Sequence, residues 1–368
     1  MTRRDILLAT AGLAMTDAAA QTAQPRFSAL ALQTRCDAVN QDQSVEAARR
    51  RMAATIARIS AQIGAAKGFL AGFNGAPLRL VVLPEYWMTG FPMGEARAVW
   101  QDKAAIDVGG AEDEAIAAMA QRHSVFLCSN HYENDRHFPD LYFQANVVYA
   151  PDGSTVLRYR RMISLYAPTP YDVWDRYLDA YGADAVFPVA RTDIGVLGTI
   201  ASEEILYPEI ARMTALKGAE ILLHPTSEVG SPSLTPKHVS KLARASENMA
   251  YVVSANSAGI DGTSVPAQST DAMSVVVDWY GRIVAEAGPG ETIVANAILD
   301  MDGLRGSRRR TGMTNLLSRL PMSAFAPAYT QERVIPNGMA DGRILERAQV
   351  IERQRAVIER LARDGAIR

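Results

Sequence analysis

The sequence predicts an α/β protein, and three features of the chain support this fold class. Short apolar runs that are typical of buried strands alternate with segments whose apolar residues recur at helical spacing. Two turn signals, Pro151-Asp152-Gly153 and Trp279-Tyr280-Gly281, each lie between two apolar runs and predict β-hairpins. Because no low-complexity linker interrupts residues 24–305, we expect one domain there, followed by a C-terminal extension over residues 306–368.

The first half of the chain carries most of the predicted strands. A helix over residues 45–63 is indicated by Met52, Ile56, Ile59 and Ile63, which recur at helical spacing with arginines between them, and a glycine-containing loop is expected after it. A second helix is predicted over 112–121. The predicted strands are 27–33, 78–83, 125–128, 144–149 and 155–160.

The second half continues the alternation and ends in a charged helix. Residues 194–200 predict a buried strand, and residues 210–218 predict a helix that stops at a glycine. Further helices are predicted over 237–248 and 343–363. The remaining predicted strands are 221–223, 251–255, 273–278, 282–287 and 292–299.

Composition excludes several classes of partner. The 368 residues carry a net charge of −2, which gives no reason to expect binding to nucleic acid or to a charged membrane surface. No apolar run is long enough to span a bilayer. Cys36 and Cys128 lie in separate segments, so two free thiols are favoured over one disulfide, and no spacing of Cys and His indicates a metal site. We expect a small-molecule substrate and no cofactor.

The N-terminus has the order of zones found in an export signal. Arg3 and Arg4 precede a short apolar region, and small residues at positions 18–20 offer a cleavage site. Residues 1–23 are therefore predicted to be a twin-arginine signal peptide of a periplasmic protein. The alternative is a cytoplasmic protein whose first residues have no targeting role.

Ser202 lies two positions after the end of the predicted strand 194–200 and precedes a predicted helix. A small polar residue at such an elbow is often a presented nucleophile. The segment 201–209, which ends in Pro208-Glu209, resembles the nucleophile elbow of the nitrilase superfamily, the carbon–nitrogen hydrolases. In that family a strand is followed by Cys, two further residues, and then Pro-Glu a few positions on. Ser202 stands at the position of the cysteine.

Two later segments extend the resemblance over most of the mature chain. Residues 244–259 resemble the late helix and strand of the family, and residues 273–281 resemble its closing hairpin. The resemblance implies a four-layer αββα sandwich that pairs into a homodimer or a higher homo-oligomer through the helices on the elbow side. It also implies that the C-terminal helical tail can cross to a partner, although a solvated surface helix fits the same charge pattern.

The resemblance also implies a set of catalytic positions. The family uses a Glu base, a Lys and the Cys, supported by another Glu. Glu85, in Leu83-Pro84-Glu85, matches the base; Arg161 stands at the position of the lysine; and Glu133 matches the supporting glutamate. The structural alternatives are a carboxylate that caps a strand end for Glu85, a surface arginine for Arg161 and a surface loop acid for Glu133.

The two departures from the family change the expected chemistry. A thiol has a pKa of about 8.5 and is readily made a thiolate, whereas a serine hydroxyl needs an adjacent base. Arginine cannot relay a proton as lysine can. We therefore predict a lyase-type C–C or C–O cleavage of a small hydroxylated, aromatic substrate, in which Glu85 transfers a proton and Arg161 stabilises the anion. The alternatives are a serine-dependent amide, nitrile or ester hydrolase and a non-catalytic binding protein.

Aromatic residues follow two of these positions and predict a pocket for a flat, partly apolar ligand. Core packing is the alternative for some of them. His224 and Glu228 follow a later strand that ends on the same side, and they are further candidates for the pocket. The aromatic candidates are Tyr86, Trp87, Tyr166, Tyr171 and Trp174.

Overall fold

Two mixed β-sheets flanked by helices form the protein, as a computed structural model of residues 26–228, 234–330, 334 and 336–367 describes it. The predicted signal peptide, residues 1–23, lies outside these residues. The predicted αββα sandwich is confirmed: one apolar core contains side chains from both sheets, such as Leu80 and Val82 from the first and Leu223 and Val253 from the second. Both cysteines are buried and free, as predicted.

The bounds of the elements follow the chain in order. Within the described residues the helices are α1 (Val45–Asn74), α2 (Arg97–Ala104), α3 (Ala111–His123), α4 (Trp174–Tyr181), α5 (Pro208–Leu216), α6 (Pro236–Asn248), α7 (Met301–Arg309), α8 (Met322–Tyr329) and α9 (Arg347–Arg363). The strands are β1 (Phe27–Ala31), β2 (Cys36–Asp37), β3 (Leu78–Val82), β4 (Ile106–Asp107), β5 (Phe126–Asp135), β6 (Phe138–Tyr149), β7 (Thr155–Arg160), β8 (Ala190–Thr192), β9 (Gly195–Thr199), β10 (Ile221–Pro225), β11 (Tyr251–Ala255), β12 (Ile260–Asp261), β13 (Val275–Val277), β14 (Ile283–Glu286) and β15 (Asn296–Leu299).

The two sheets share a plan of parallel strands continued by antiparallel hairpins. The first sheet has the order β15-β1-β3-β5-β6-β7, in which β1, β3 and β5 are parallel and β5, β6 and β7 are antiparallel. The second has the order β14-β13-β11-β10-β9-β8, with β9, β10 and β11 parallel. Parallel strands end at the same edge of a sheet, so the loops after β9 and β10 come together, and a hydrogen bond joins the loop after β3 to the loop after β10.

Helix α1 is longer than the sequence predicts. Ser44 caps its first turn by accepting a hydrogen bond from the Ala47 amide at 3.2 Å, and the helix ends at Gly75, which is in the left-handed conformation. The predicted glycine-containing loop after Ile63 is therefore wrong. Each helical glycine costs about 1 kcal/mol relative to alanine. Ala66 and Leu70 are buried in this stretch, and their packing offsets the cost.

Short helices and the far ends of long strands were not predicted. The short helices are α2, α4, α7 and α8, with eight or nine residues each. A helix of this length contains too few turns for a periodic pattern of apolar residues to be recognised in the sequence. Strands β5 and β6 extend beyond the predicted 125–128 and 144–149 because a long hairpin continues past the sheet core. In the described part of the chain, no helix combines the length and apolar character that a bilayer crossing requires.

Candidate active site

Glu85, Arg161 and Ser202 follow the ends of β3, β7 and β9, and the structure links their positions through direct contacts. Glu85 donates its backbone N–H to the carbonyl of Thr226 at 3.1 Å, which ties the end of β3 to the end of β10 across the two sheets. Arg161 contacts both Glu85 and Glu203, the neighbour of Ser202. The three predicted residues therefore lie around one location at the strand ends.

The carboxylate of Glu85 is buried, with 2 % of its surface exposed, and accepts three hydrogen bonds. Its Oε1 accepts from Arg161 Nη1 at 3.0 Å and from Gln144 Nε2 at 2.9 Å. Its Oε2 accepts from the Ser227 amide at 3.2 Å. Such a carboxylate is held in one orientation by partners from three separate segments.

The guanidinium nitrogens of Arg161 all have partners within the protein. Its Nη2 lies 2.5 Å from Glu203 Oε1, its Nη1 donates to Gln144 Oε1 at 2.6 Å, and its Nε donates to the Ile163 carbonyl at 2.7 Å. Burial opposes the charge, but Glu85 and Glu203 outweigh it and raise the pKa of Arg161 above its usual value. Arg161 is thus a fixed cation that bridges the base position and the elbow.

Ser202 has the backbone geometry of a presented nucleophile. Its φ of 49° lies in the left-handed region, which a non-glycine residue seldom adopts without support. The support includes His224, whose Nε2 donates to the Ser202 carbonyl at 2.9 Å. The side-chain oxygen of Ser202 accepts a hydrogen bond from Lys237 Nζ at 3.2 Å. The sequence analysis did not identify this lysine.

His224 is a structural support of the elbow. Because a carbonyl only accepts, Nε2 carries the proton and Nδ1 accepts from Ser254 Oγ at 2.8 Å. Burial lowers the pKa of His224 to about 3, with a further contribution from the nearby Lys241 cation. The imidazole is therefore neutral, and both of its nitrogens form hydrogen bonds with the protein. A contact between His224 and a ligand was predicted, but this side chain supports the elbow instead.

Glu204 also holds the elbow and was not identified from the sequence. It accepts hydrogen bonds from the Tyr159 hydroxyl at 2.8 Å and from the amides of Met162 at 2.7 Å, Ile163 at 3.0 Å and Ala201 at 3.2 Å. Burial raises its pKa to about 7, although these donors and Arg161 oppose the shift. Glu204 thereby fastens the segment after Arg161 to the segment that carries Ser202.

Glu133 does not join this group. Tyr132 pairs with Gln144 across β5 and β6, and successive side chains of a strand point to opposite faces, so Glu133 lies on the face away from Gln144. It forms ion pairs there with Arg158 and, at 2.8 Å from Nε, with Arg160. Glu133 was predicted to support the catalytic pair. Instead it forms ion pairs on the opposite face of the sheet.

Glu228 lies beside the elbow as half of a buried ion pair. Its carboxylate contacts Lys241, and its Oε2 accepts from the Thr235 hydroxyl at 3.2 Å. Burial tends to raise its pKa, but Lys241 outweighs burial and lowers it. Each oxygen of the carboxylate contacts a donor of the protein, so Glu228 supports the structure around the site, where a contact with the ligand was predicted.

The aromatic candidates divide between the site and the core. Burial and then the nearby Glu85 charge raise the pKa of Tyr86, which adjoins the site. Phe91 lies between the rings of Tyr86 and Tyr166, with ring centroids 5.4 Å and 6.1 Å from them. Trp87, in contrast, is fully buried in the core and donates its indole N–H to Ser129 Oγ at 3.0 Å. It has no free surface for a ligand.

Tyr171 and Trp174 pack against each other and against the C-terminal segment. Their ring centroids are 5.5 Å apart, and the Tyr171 hydroxyl donates to the Val334 carbonyl at 3.2 Å. The Asn337 amide donates to the Tyr171 carbonyl at 2.9 Å. Tyr171 and Trp174 therefore pack near the segment after residue 333, whereas the sequence predicted that they line the pocket.

Three residues that complete the site, Gln144, Glu204 and Lys237, carried no usable signal in the sequence. Lys237 is in the first turn of α6, where a lysine is ordinarily a surface residue. It reaches Ser202 because α6 is fastened to the elbow: Arg244 on the same helix donates to the carbonyls of Ile205 and Leu206, both at 2.9 Å. Within the described residues, no cluster of three or more His, Cys, Asp or Glu side chains could hold a metal ion.

Comparisons with known proteins give the family of this chain and solved structures that share its fold. The sequence model described as carbon-nitrogen hydrolase matches residues 38–309. The omega-amidase NIT3 of Saccharomyces cerevisiae is 22% identical over 236 residues, which cover 64% of this chain and 79% of that protein. The 2-oxoglutaramate amidase of Bacillus subtilis is 27% identical over 58% of this chain and 76% of its own. A carbon-nitrogen hydrolase structure from Helicobacter pylori G27 superposes with a TM-score of 0.63 and 22% identity, covering 84% of this chain and 99% of that one.

Proposed function

This chain belongs to the carbon-nitrogen hydrolase family, and from that premise we propose that it hydrolyses the amide bond of a small molecule through Ser202. The observation that carries the proposal is the contact between Ser202 Oγ and Lys237 Nζ. A serine hydroxyl becomes a useful nucleophile only when a base lies within hydrogen-bond reach, and lysine serves as that base in some serine hydrolases. The left-handed backbone of Ser202 adds support, since it is the conformation of a nucleophile elbow.

The reaction balances with these groups. The hydroxyl oxygen of Ser202 attacks the amide carbon while its proton passes to the side-chain nitrogen of Lys237. The tetrahedral intermediate expels the amine, which takes the proton from Lys237, and an ester on Ser202 remains. Water then attacks this ester, gives a proton to Lys237, and releases the carboxylic acid as the proton returns to Ser202.

Glu85 and Arg161 are assigned positioning roles in this proposal. Glu85 is held by Arg161, Gln144 and the Ser227 amide, so its remaining lone pairs can accept from the N–H of a substrate amide. Arg161 holds Glu85 relative to Glu203 and thus relative to the nucleophile. Holding the amide and the nucleophile in a fixed relation lowers the entropy cost of the attack.

The predicted lyase reaction has less support. It requires Glu85 to abstract a proton, yet the carboxylate already accepts three hydrogen bonds from the protein. The two named relatives are both amidases. A binding protein without catalysis would have no need of a base placed at 3.2 Å from the hydroxyl of Ser202.

The test is to trap the acyl-enzyme and to rank two variants. The purified protein is incubated with a panel of amides, nitriles and esters, and the mass of the intact protein is followed. Hydrolysis through Ser202 predicts a mass increase located on Ser202, and near-complete loss of turnover in Ser202→Ala. A variant Ser202→Ala that retains turnover while Glu85→Gln loses it would refute Ser202 as the nucleophile. Ligand-induced thermal stabilisation without any product would establish a binding protein.

A further inference from the structure

A chain of buried side-chain amides leads from the candidate active site across the first sheet to the second. It consists of Gln144, Asn130 and Asn146, and it joins Glu85 at one end to Thr199 at the other. Each of these side chains is at most 2 % exposed. An unpartnered amide is costly in the interior of a protein, so each amide of the chain needs partners for both its donor and its acceptor.

The links of the amide chain are short hydrogen bonds. Gln144 Nε2 donates to Glu85 Oε1 at 2.9 Å and to Asn130 Oδ1 at 3.1 Å. Asn130 Nδ2 donates to Asn146 Oδ1 at 2.8 Å, and Asn146 Nδ2 donates to Thr199 Oγ1 at 2.6 Å. Asn146 belongs to β6 and Thr199 to β9, so the last link crosses from the first sheet to the second.

The orientation of the asparagine amides is fixed from both ends of the chain. The Thr199 hydroxyl donates to the Leu223 carbonyl at 2.9 Å, and because a carbonyl only accepts, Thr199 Oγ1 is the acceptor for Asn146. At the other end, the Tyr86 backbone N–H donates to Asn130 Oδ1 at 3.0 Å, which turns Asn130 Nδ2 toward Asn146. Both ends require the same orientation, so neither amide can turn over without leaving a buried donor unpaired.

The amide chain connects two segments whose backbone is in the left-handed region. Tyr86, the residue after Glu85, has a φ of 37°, and its amide is the one that Asn130 accepts from. Ser202, with a φ of 49°, lies three residues after Thr199. Residues other than glycine keep such a backbone only where the surrounding structure holds it. The chain is therefore a direct connection between the turn that carries Glu85 and the elbow that carries Ser202.

We propose that Asn130 and Asn146 act as positioning residues for Glu85. Through the amide chain they hold its carboxylate in a fixed relation to Ser202. Gln144 binds Glu85 directly, and the two asparagines are what hold Gln144 from behind. A small displacement of the substrate from its nucleophile lowers the rate of attack strongly, so this relation matters for the reaction. The inference rests on the proposed function for the reaction, and on the hydrogen bonds alone for the position of Glu85.

The experiment removes one hydroxyl group from the far end of the amide chain. Thr199→Val keeps the shape of the side chain and deprives Asn146 of its acceptor, whereas Thr199→Ser keeps the hydroxyl. The control Thr214→Val makes the same change at an equally buried threonine, whose hydroxyl bonds to carbonyls within α5. Thr199→Ala removes the same hydroxyl and is used if Thr199→Val does not fold.

Hydrogen exchange of the Tyr86 amide measures the state of the chain without turnover. This amide donates to Asn130, and the Leu83 amide, which donates to a carbonyl of β5 at 2.9 Å, is the reference outside the chain. Thr199→Val should speed exchange at Tyr86 roughly tenfold relative to Leu83, because the amides beyond the broken link lose their fixed orientation. Thr199→Ser and Thr214→Val should leave the ratio of the two rates within about twofold of the native value.

Turnover provides a second measurement, made with the amide of the panel that the native protein cleaves fastest. Thr199→Val should lower kcat roughly tenfold and change KM by less than about twofold, because the reacting groups are misplaced and not removed. Thr214→Val should leave both constants unchanged.

The outcomes separate this inference from the proposed function. If the ratio of exchange rates at Tyr86 and Leu83 is the same in Thr199→Val as in the native protein, the chain does not hold Glu85, and the inference is refuted even when amides are hydrolysed. The same holds if kcat falls no more in Thr199→Val than in Thr214→Val. If the ratio rises in Thr199→Val but the native protein cleaves no amide, the hold on Glu85 stands and the proposed hydrolysis fails.

Discussion

The side-chain nitrogen of Lys237 lies 3.2 Å from the hydroxyl oxygen of Ser202, although the two residues belong to different elements and are 35 positions apart in the sequence. Lys237 also lies near Lys241 on the next turn of α6. Burial lowers the pKa of Lys241, and the nearby charge of Lys237 lowers it further, whereas Glu228 opposes the shift. The nucleophile position is therefore next to a pair of amines that share one helix face.

Substitution of Lys237 tests whether it is the base. Lys237→Met keeps the length of the side chain and removes the amine, so turnover should fall by about 10²- to 10⁴-fold, the usual contribution of a positioned proton acceptor. Lys217→Met, at an exposed ion pair with Asp184, is the control and should change nothing. Unchanged turnover in Lys237→Met would remove the lysine from the reaction.

A cysteine at position 202 should become a reactive thiolate. In Ser202→Cys, the cation of Lys237 would stabilise the thiolate, so iodoacetamide should alkylate this position first. Cys36 and Cys128 should resist, because burial raises the pKa of both thiols, that of Cys128 to about 12. The double variant with Lys237→Met should react at least tenfold more slowly. Equal reaction rates with and without Lys237, measured by mass spectrometry, would contradict the assigned contact.

His224 should make the protein sensitive to acid. The imidazole keeps a pKa near 3 in the folded state and regains about 6.5 when unfolded, so unfolding takes up a proton below pH 6.5. Stability is therefore complete above pH 6.5 and falls as the pH drops toward 3, by about 2 kcal/mol at pH 5. Urea unfolding at pH 7.5 and pH 5 should show this loss, and His224→Gln should reduce it. The exposed His137 is the control, since His137→Gln should keep the full dependence on pH.

The buried ion pair between Lys241 and Glu228 should be costly to break from one side. Both side chains are almost fully buried, so Lys241→Met leaves an unpaired carboxylate in the interior and should cost about 3–5 kcal/mol in urea unfolding. The double variant with Glu228→Gln should recover most of this loss. In contrast, Arg355→Gln, at the exposed pair with Glu352, should cost about 1 kcal/mol or less. A single variant Lys241→Met as stable as the native protein would show that the carboxylate finds another partner.

The fold could be predicted because its signals are local. The alternation of apolar runs with helical periodicity marked most long elements, and strand β11 was predicted with its observed bounds, 251–255. Helix α1 was cut short at Ile63 because glycines disfavour a helix locally, whereas the burial of Leu70 is a tertiary effect. The resemblance to the family implied that Glu85 and Arg161 lie together, and the two side chains are in contact at 3.0 Å.

The sequence by itself determined the strand ends that carry Glu85, Arg161 and Ser202, because periodicity and turn residues fix where each strand stops. Only the tertiary structure decided which groups those three meet. Successive side chains of β5 point to opposite faces of the sheet, so Glu133 lies on the face away from Glu85. The packing of α6 against the elbow places Lys237 next to Ser202. The reason is physical: a side-chain contact over 35 residues depends on how helices and sheets pack, and packing is set by the whole core instead of by the residues in contact.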